Sequence, residues 1–495
     1  MKGTKIVVVG LDGATWDLLE PWSLEGKLPN LKELMKESCW GTLKSTIPPS
    51  TAPAWTSLST GKNPGKHGVF DFVRLEGSSL RFLTSRDIRA DPIYDILSKK
   101  GLRNVVIGLP LSFPPSEDFN GIMISNWLYP KKRVFPQTMK DLIKEYRVIP
   151  NVLKKGEDLL EDIIGTARSQ VKVAKKLFLR EKWDFYFFYY PETDLTFHKF
   201  WNDIKNSTSL GKKAIRVFQI IDEFVGWLLD HMDEKTYLFL VSDHGFDDCP
   251  LAICLNLVLA KKGLLRIKLE RVSEANQDLS PALKLACRKM KIISIPKPLF
   301  ELATHPLIKP VSKMLFKSIF GEESFINFMK KVEFENSRAF VPTSTTMGIF
   351  VREPDETKKK RTIKDLVSML KDLKYKDQNV FRQVLLRNEV FNGPFTRLAP
   401  DILLIPNGFQ ILSDITEKTF IRHPDGGYHD PNGIFLSYGP SIKRGTKIEG
   451  AKIYDITPTI LQILELPIPS DMDGRILHEI FEENSRLTGS KTTAR

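Results

Sequence analysis

Cysteine is scarce in this chain. Cys39, Cys249, Cys254 and Cys287 are the four in 495 residues, too few for a disulfide framework. Cys249 and Cys254 have no second Cys or His pair to complete a zinc ribbon, so all four read as reduced core or surface thiols. The default compartment is then the cytoplasm. Long apolar runs are missing as well: no stretch of roughly 18 apolar residues occurs, which excludes a membrane-spanning helix. The short KIVVVG at the start reads as a buried strand and not as a signal segment. No internal repeat or low-complexity tract stands out, and hydrophobic (42%) and charged (27%) fractions are those of a globular chain.

Acidic residues are outweighed by basic ones, 60 against 73, for a net charge of +13. Much of the excess lies in residues 261–320, where 13 Lys and Arg face 4 Asp and Glu. Cations there are mixed with Leu, Ile, Phe and Met. Such a stretch could be an amphipathic lid, a peripheral membrane-surface patch, a funnel for an anionic substrate, or a solvated helical insertion whose Lys and Arg stems cover apolar surface. Pro296, Pro298, Pro306 and Pro310 interrupt any long amphipathic helix, which favours the last of these. No nucleic-acid-binding module is visible, and a basic balance alone does not make one.

Short apolar runs alternate with helical patterns along most of the chain. Strands are expected at 5–10, 104–109, 184–190, 236–242, 401–405 and 433–437, and helices at 28–38, 92–100, 160–180 and 213–231. The strand runs are continuously apolar, as strands buried on both faces of a parallel sheet are. The expected fold class is α/β: a mostly parallel central sheet with helices on both faces, plus an inserted cap region. The expected divisions are a first core part over 1–256, a basic insertion or cap over 257–340, a small α/β segment over 341–400, a second core part over 401–480 and a polar tail over 481–495.

The residues able to do chemistry stand at strand ends. Asp12 follows IVVVG, Asp194 follows FYFFYY, and Asp243 with His244 follows YLFLV. In α/β sheets ligands bind beyond the carboxyl ends of the strands, so three strands delivering carboxylates to one edge outweigh any single motif. Asp194 and His198 have the spacing D-x-x-x-H, which on one helical turn puts carboxylate and imidazole on one face. Asp243-His244-Gly245 is either a turn with a hydrogen-bonded pair or an oxygen and a nitrogen ligand side by side, a combination that suits zinc or manganese. His429 stands in the Gly-rich PDGGYHDPNG just ahead of a strand, and His423, six residues earlier, competes for its role. Thr51, in TIPPSTAPAWTSLSTG, is expected at the start of a helix, where free N–H groups and the helix dipole favour an anion. The alternative there is a plain N-cap Thr with Pro53 in the first turn. His67, in GKNPGKHG, reads as a structural loop residue. Two adjacent divalent metals with a hydroxyl between them are what displacement at phosphorus needs.

In this order the residues resemble the type I phosphodiesterase/nucleotide pyrophosphatase family of the alkaline phosphatase superfamily. The likeness rests on VVVGLDGATWDLL, PPSTAPAWTSLSTGKNPGKHGVFDF, PETDLTFH, VSDHGF, GYHDPNGIFLSYGP and IYDITPTILQILELPIPSDMDGRIL, and covers residues 1–256 and 400–480. The resemblance implies one metal held by Asp194, His198 and His429, and another by Asp12, Asp243 and His244. Thr51 would bridge the two as nucleophile. The implied cofactors are two divalent ions, zinc or manganese, and the implied reaction is in-line attack by Thr51 to give a phosphothreonine that water hydrolyses. The implied partner is a small phosphate-ester substrate, a nucleotide or a lipid-linked diester. Sulfatases of the superfamily share nucleophile-x-Pro but use Cys or Ser, with an Arg two residues after the Pro; Thr51 and Trp55 speak against that branch. A phosphomonoesterase or phosphoryl transferase is the alternative within the superfamily. Outside it stands a non-catalytic binding protein that keeps the fold, which the full ligand set opposes.

Overall fold

In a computed structural model that describes residues 3–77, 79–129, 132–267, 332–415, 421–422 and 426–487, the apolar runs become the middle of a 9-stranded sheet. Across the sheet the strands are Thr446–Lys452, Cys39–Lys44, Asn432–Tyr438, Thr236–Val241, Lys5–Leu11, Phe185–Tyr190, Asn104–Ile107, Gly121–Ile124 and Val134–Phe135. The sheet is mostly parallel. Asn432–Tyr438 runs against both its neighbours, and Val134–Phe135 runs against Gly121–Ile124 at the edge. Continuous apolarity reports burial on both faces and not direction, so the expected strand 433–437 forms but is antiparallel to its neighbours. Cys39–Lys44 and Thr446–Lys452, which the expected strands omit, carry no continuous apolar run: the first alternates buried with less buried residues, and the second buries only Ile448 and Ala451 across a register irregularity.

Helices close both faces. Along Phe185–Tyr190, the side chains of Tyr186, Phe188 and Tyr190 join one core layer with the helices Gly156–Arg180 and Ser209–His231. Phe185, Phe187 and Tyr189 join the other, with Trp55, Tyr94 and Ile456. This is the period-2 alternation of a strand covered on both sides. Each large side chain so buried contributes about 1.5–3 kcal/mol relative to exposure.

The expected strand 401–405 also forms, as Ile402–Pro406, but outside the main sheet. It lies in a 4-stranded antiparallel sheet between Gly348–Val351 and Phe381–Leu386. A short apolar run carries no record of its partner, and here the partners come from the segment just before it. A third core cluster surrounds this small sheet and takes in Ile253, Leu259, Phe340, Ile349, Phe381 and Tyr428. Most of the basic stretch 261–320, from residue 268 onward, lies outside the described residues, as do Cys287 and His423. The other three cysteines are free and buried, and burial pushes the Cys39 and Cys249 thiols up to about 12. Among the described residues no helix is long and apolar enough to cross a membrane.

Candidate active site

Strand register brings the acidic residues to one edge. In the parallel pairings Gly10 is level with Val241, and Leu11 with Tyr190. Asp12 and Asp243 therefore leave neighbouring strands at nearly the same height, and the helix Glu192–Lys205 starts beside them. The Asp12 N–H donates to Tyr190 O (3.1 Å), and the Gly13 N–H donates to Asp243 Oδ1 (3.1 Å). Gly13 has φ +66°, and a Cβ there would stand 3.1 Å from Asp194 Oδ1, so glycine suits both the backbone and the space. Asp194 and His198 share a helical face as their spacing predicts, with Nε2 to Oδ1 at 3.4 Å.

His429 arrives from far along the chain. Gly427–Asp430 pairs antiparallel with Gly245–Asp248, which sets His429 opposite Phe246. Its ring stacks on His244 with centroids 3.7 Å apart. The Nδ1 of His429 meets Pro49 O at 3.0 Å, and that of His244 meets Gly245 O at 3.0 Å. Each carbonyl needs a donor, so each ring carries its proton on Nδ1 and turns the Nε2 lone pair into the site.

Into that space converge His198 Nε2, 3.0 Å from His429 Nε2, and Asp194 Oδ1, 3.4 Å from His429 Nε2. His244 Nε2 lies 3.5 Å from Asp12 Oδ1, 3.3 Å from Asp243 Oδ2 and 3.4 Å from Thr51 Oγ1. Asp12 Oδ1, Asp194 Oδ1 and Asp243 Oδ2 are buried and accept no hydrogen bond from any described residue. Lone pairs and carboxylate oxygens facing one another at these distances repel unless protons or cations lie between them. Among the described residues two groups have ligand atoms mutually within 4.8 Å: Asp194, His198 and His429, and Asp12, Asp194 and His244. Asp194 thus belongs to both, and Asp243 joins the second through its contact with His244.

The electrostatics point the same way. Burial, then the charges of Asp243 and Asp194, push the Asp12 carboxyl well above its ordinary range. Burial pushes Asp243 up to about 7. Burial also pushes His198 down to about 4 and His244 well below its usual value. At Asp194 burial acts upward too, but His198 and His429 outweigh it and hold the carboxyl low. Carboxyls that resist ionising beside imidazoles that resist protonation form a donor set that divalent cations would satisfy. The residues present fit two such ions.

Thr51 is the first residue of the helix Thr51–Thr60, and Ser50 holds the N-cap position without a side-chain cap. The plain N-cap reading of Thr51 therefore fails. Its hydroxyl instead faces His244 Nε2. Pro53 has no N–H and Ala54 N–H bonds to Ser50 O (3.0 Å), which leaves the N–H groups of Thr51 and Ala52 without an intrahelical partner. Trp55 seats the helix on the sheet, edge-on to Phe187 (5.9 Å) and Tyr189 (5.5 Å). His67, expected in a loop, instead ends the short helix Pro64–His67, fully buried with its Nε2 on Ser57 Oγ at 2.9 Å. Two tyrosines beside the site were not singled out by the sequence, though Tyr428 lies next to His429 in GYHDPNG. Tyr428 stacks on His429 (4.9 Å, 14°) and donates to Ser344 O (3.2 Å), and Tyr189 donates to Asp12 Oδ2. Tyr189 sits in a run of aromatics that reads only as core.

Over residues 6–430 the sequence matches the family described as Type I phosphodiesterase / nucleotide pyrophosphatase. The chain belongs to that family. Among solved structures it is similar to murine ectonucleotide pyrophosphatase / phosphodiesterase 5, inactive and in complex with AMP, at 15% identity and TM-score 0.50 over 94% of this chain and 96% of that one. A second structure of the same murine protein gives 15% identity and TM-score 0.49 over the same shares. At such identity the likeness is one of fold, the helix-covered, mostly parallel sheet of alkaline phosphatase-like proteins. Comparison with curated protein sequences gives no match.

Proposed function

We propose that this family member is a metal-dependent hydrolase of phosphodiester or pyrophosphate bonds with Thr51 as nucleophile. The observation that carries the reading is the place of Thr51 Oγ1: at the open start of a helix, 3.4 Å from His244 Nε2, beside two donor groups that share Asp194. Asp194, His198 and His429 would hold one divalent ion, and Asp12, Asp243 and His244 the other. Mixed imidazole and carboxylate donors suit zinc, or manganese. When bound, such ions supply the positive charge that activates a hydroxyl and neutralises the charge building on the phosphoryl group. Thr51 Oγ1 gives up its proton and forms the bond to phosphorus as the ester oxygen opposite departs and takes up a proton. The N–H groups of Thr51 and Ala52 hold a phosphoryl oxygen meanwhile. Water then breaks the phosphothreonine, releasing the phosphorylated product and restoring the hydroxyl.

The test is hydrolysis of bis-p-nitrophenyl phosphate and p-nitrophenyl phosphate by zinc-loaded protein, wild type beside Thr51→Ala. The diester should be cleaved faster, and the variant should keep its zinc while losing at least about 10³-fold in kcat. Faster monoester cleavage would move the reaction to a phosphatase. Turnover of neither that depends on Thr51 would overturn the proposal. AMP, the ligand in the murine structure, makes nucleotide diesters the first natural substrates to try.

A further inference from the structure

We infer that Tyr189 is a positioning residue for Asp12, its hydroxyl setting which carboxylate oxygen faces the metal-binding donors. Tyr189 lies on the strand Phe185–Tyr190, opposite Gly10 in the register and 1% exposed. Its Oη donates to Asp12 Oδ2, and Trp127 Nε1 donates to Tyr189 Oη at 3.5 Å. The Asp12 backbone is held independently, its N–H by Tyr190 O (3.1 Å) and its C=O by Thr193 Oγ1 (2.5 Å). With backbone and Oδ2 both tied, the side chain has one free oxygen. That oxygen is Oδ1, which accepts no hydrogen bond from the described residues and lies 3.5 Å from His244 Nε2.

The neighbours on the strand show that the hydroxyl is not there for packing. Phe187, on the same face and equally buried, fills its place with no hydroxyl. Tyr186 and Tyr190, on the opposite face, give theirs to the backbone carbonyls Ala174 O (2.6 Å) and Val217 O (2.8 Å). Tyr189 gives its own to a carboxylate of the site. Groups that hold a ligand's second atom fix its orientation, and their loss commonly costs 10- to 100-fold in metal affinity or activity.

The inference rests on the two-metal reading of the site, and its test is zinc affinity and not turnover. Chelator competition on the full chain should find Tyr189→Phe about 10- to 100-fold weaker for zinc at one of two sites, with the far-UV circular dichroism of the metal-free protein unchanged. In an Asp12→Asn background the same substitution should cause no further loss, because the hydroxyl acts through Asp12. Should Tyr189→Phe fail to fold, Trp127→Phe, which loosens the hydroxyl without touching Asp12, should weaken zinc in the same direction by a smaller factor. Unchanged zinc affinity in the folded variant, or an equal loss with Asp12→Asn present, would overturn the role of Tyr189 alone. A wild type that takes up no zinc would overturn the two-metal reading and this inference with it.

Discussion

Protonating His67 would break a buried contact. Its Nδ1 accepts from the Val69 N–H (3.2 Å), so Nε2 carries the proton and donates to Ser57 Oγ (2.9 Å). A second proton would have to sit on Nδ1, against that N–H, in a fully buried ring. Burial, then Lys62, push His67 down to about 3 from an ordinary 6.5. The folded pKa is the depressed one, so between about pH 6.5 and 3 the unfolded chain binds the extra proton and the folded chain does not. The contribution is therefore complete above pH 6.5 and shrinks as pH falls, by about 1.4 kcal/mol per pH unit. Urea unfolding at pH 7 and pH 5 should show the wild type losing about 2 kcal/mol more over that interval than His67→Gln does. At this scale the sequence is informative wherever a role is local: GKNPGKHG reads as a structural loop, and the structure instead ends a short helix, Pro64–His67, at His67, whose ring is held by Ser57 and Val69.

The helix Thr51–Thr60 carries the proposed nucleophile, and Gly10 leaves the room in which its Trp55 is seated. A Cβ on Gly10 would stand 2.6 Å from Trp55 Cη2 and 3.3 Å from Phe187. Trp55 lies one turn past Thr51 on the same helix, so a displaced indole carries the hydroxyl away from His244. Gly10→Ala should cost about 1–3 kcal/mol in urea unfolding, as overpacked cores do, and, if Thr51 is the nucleophile proposed above, lower kcat by about 10- to 100-fold through lost alignment. Unchanged kcat with lowered stability would show that the helix repacks without moving Thr51. The helix itself is legible in APAWTSLST after two prolines. That Trp55 packs against the first strand is not, because a buried Trp in a helix names no partner.

Across the whole molecule one carboxylate ties the turn just ahead of the small-sheet strand Gly348–Val351 to the segment that follows the helix Pro64–His67. Asp71, 3% exposed, accepts from Thr345 Oγ1 (2.9 Å), Thr346 Oγ1 (2.6 Å), Thr343 Oγ1 and its neighbour's N–H on Phe72 (2.6 Å). The same loop presents Ser344 O to Tyr428, which stacks on His429. Packing of the small sheet is thereby linked to His429, one of the proposed metal ligands. Asp71→Ala would strand these donors, and about 3 kcal/mol of stability should be lost in urea unfolding. Asp71→Asn, which keeps one acceptor, should lose less. A kcat lowered in both variants in the same order would trace the link through Tyr428; an unchanged kcat would confine Asp71 to stability.

Asp12, the Asp243–His244 pair and the Asp194–His198 turn were determined by the sequence alone. Each depends on chain geometry over a few residues: a strand that ends, or a helical turn that brings i and i+4 together. The α/β class follows similarly from alternating apolar runs and helical periods. Only the tertiary structure decided that His429 lies opposite Phe246, that Asn432–Tyr438 runs antiparallel, that Ile402–Pro406 joins the small sheet, and that Tyr189 lies beneath Asp12. Those are matters of pairing and register between segments far apart in the chain, and periodicity records which face of a segment is buried but not what covers it.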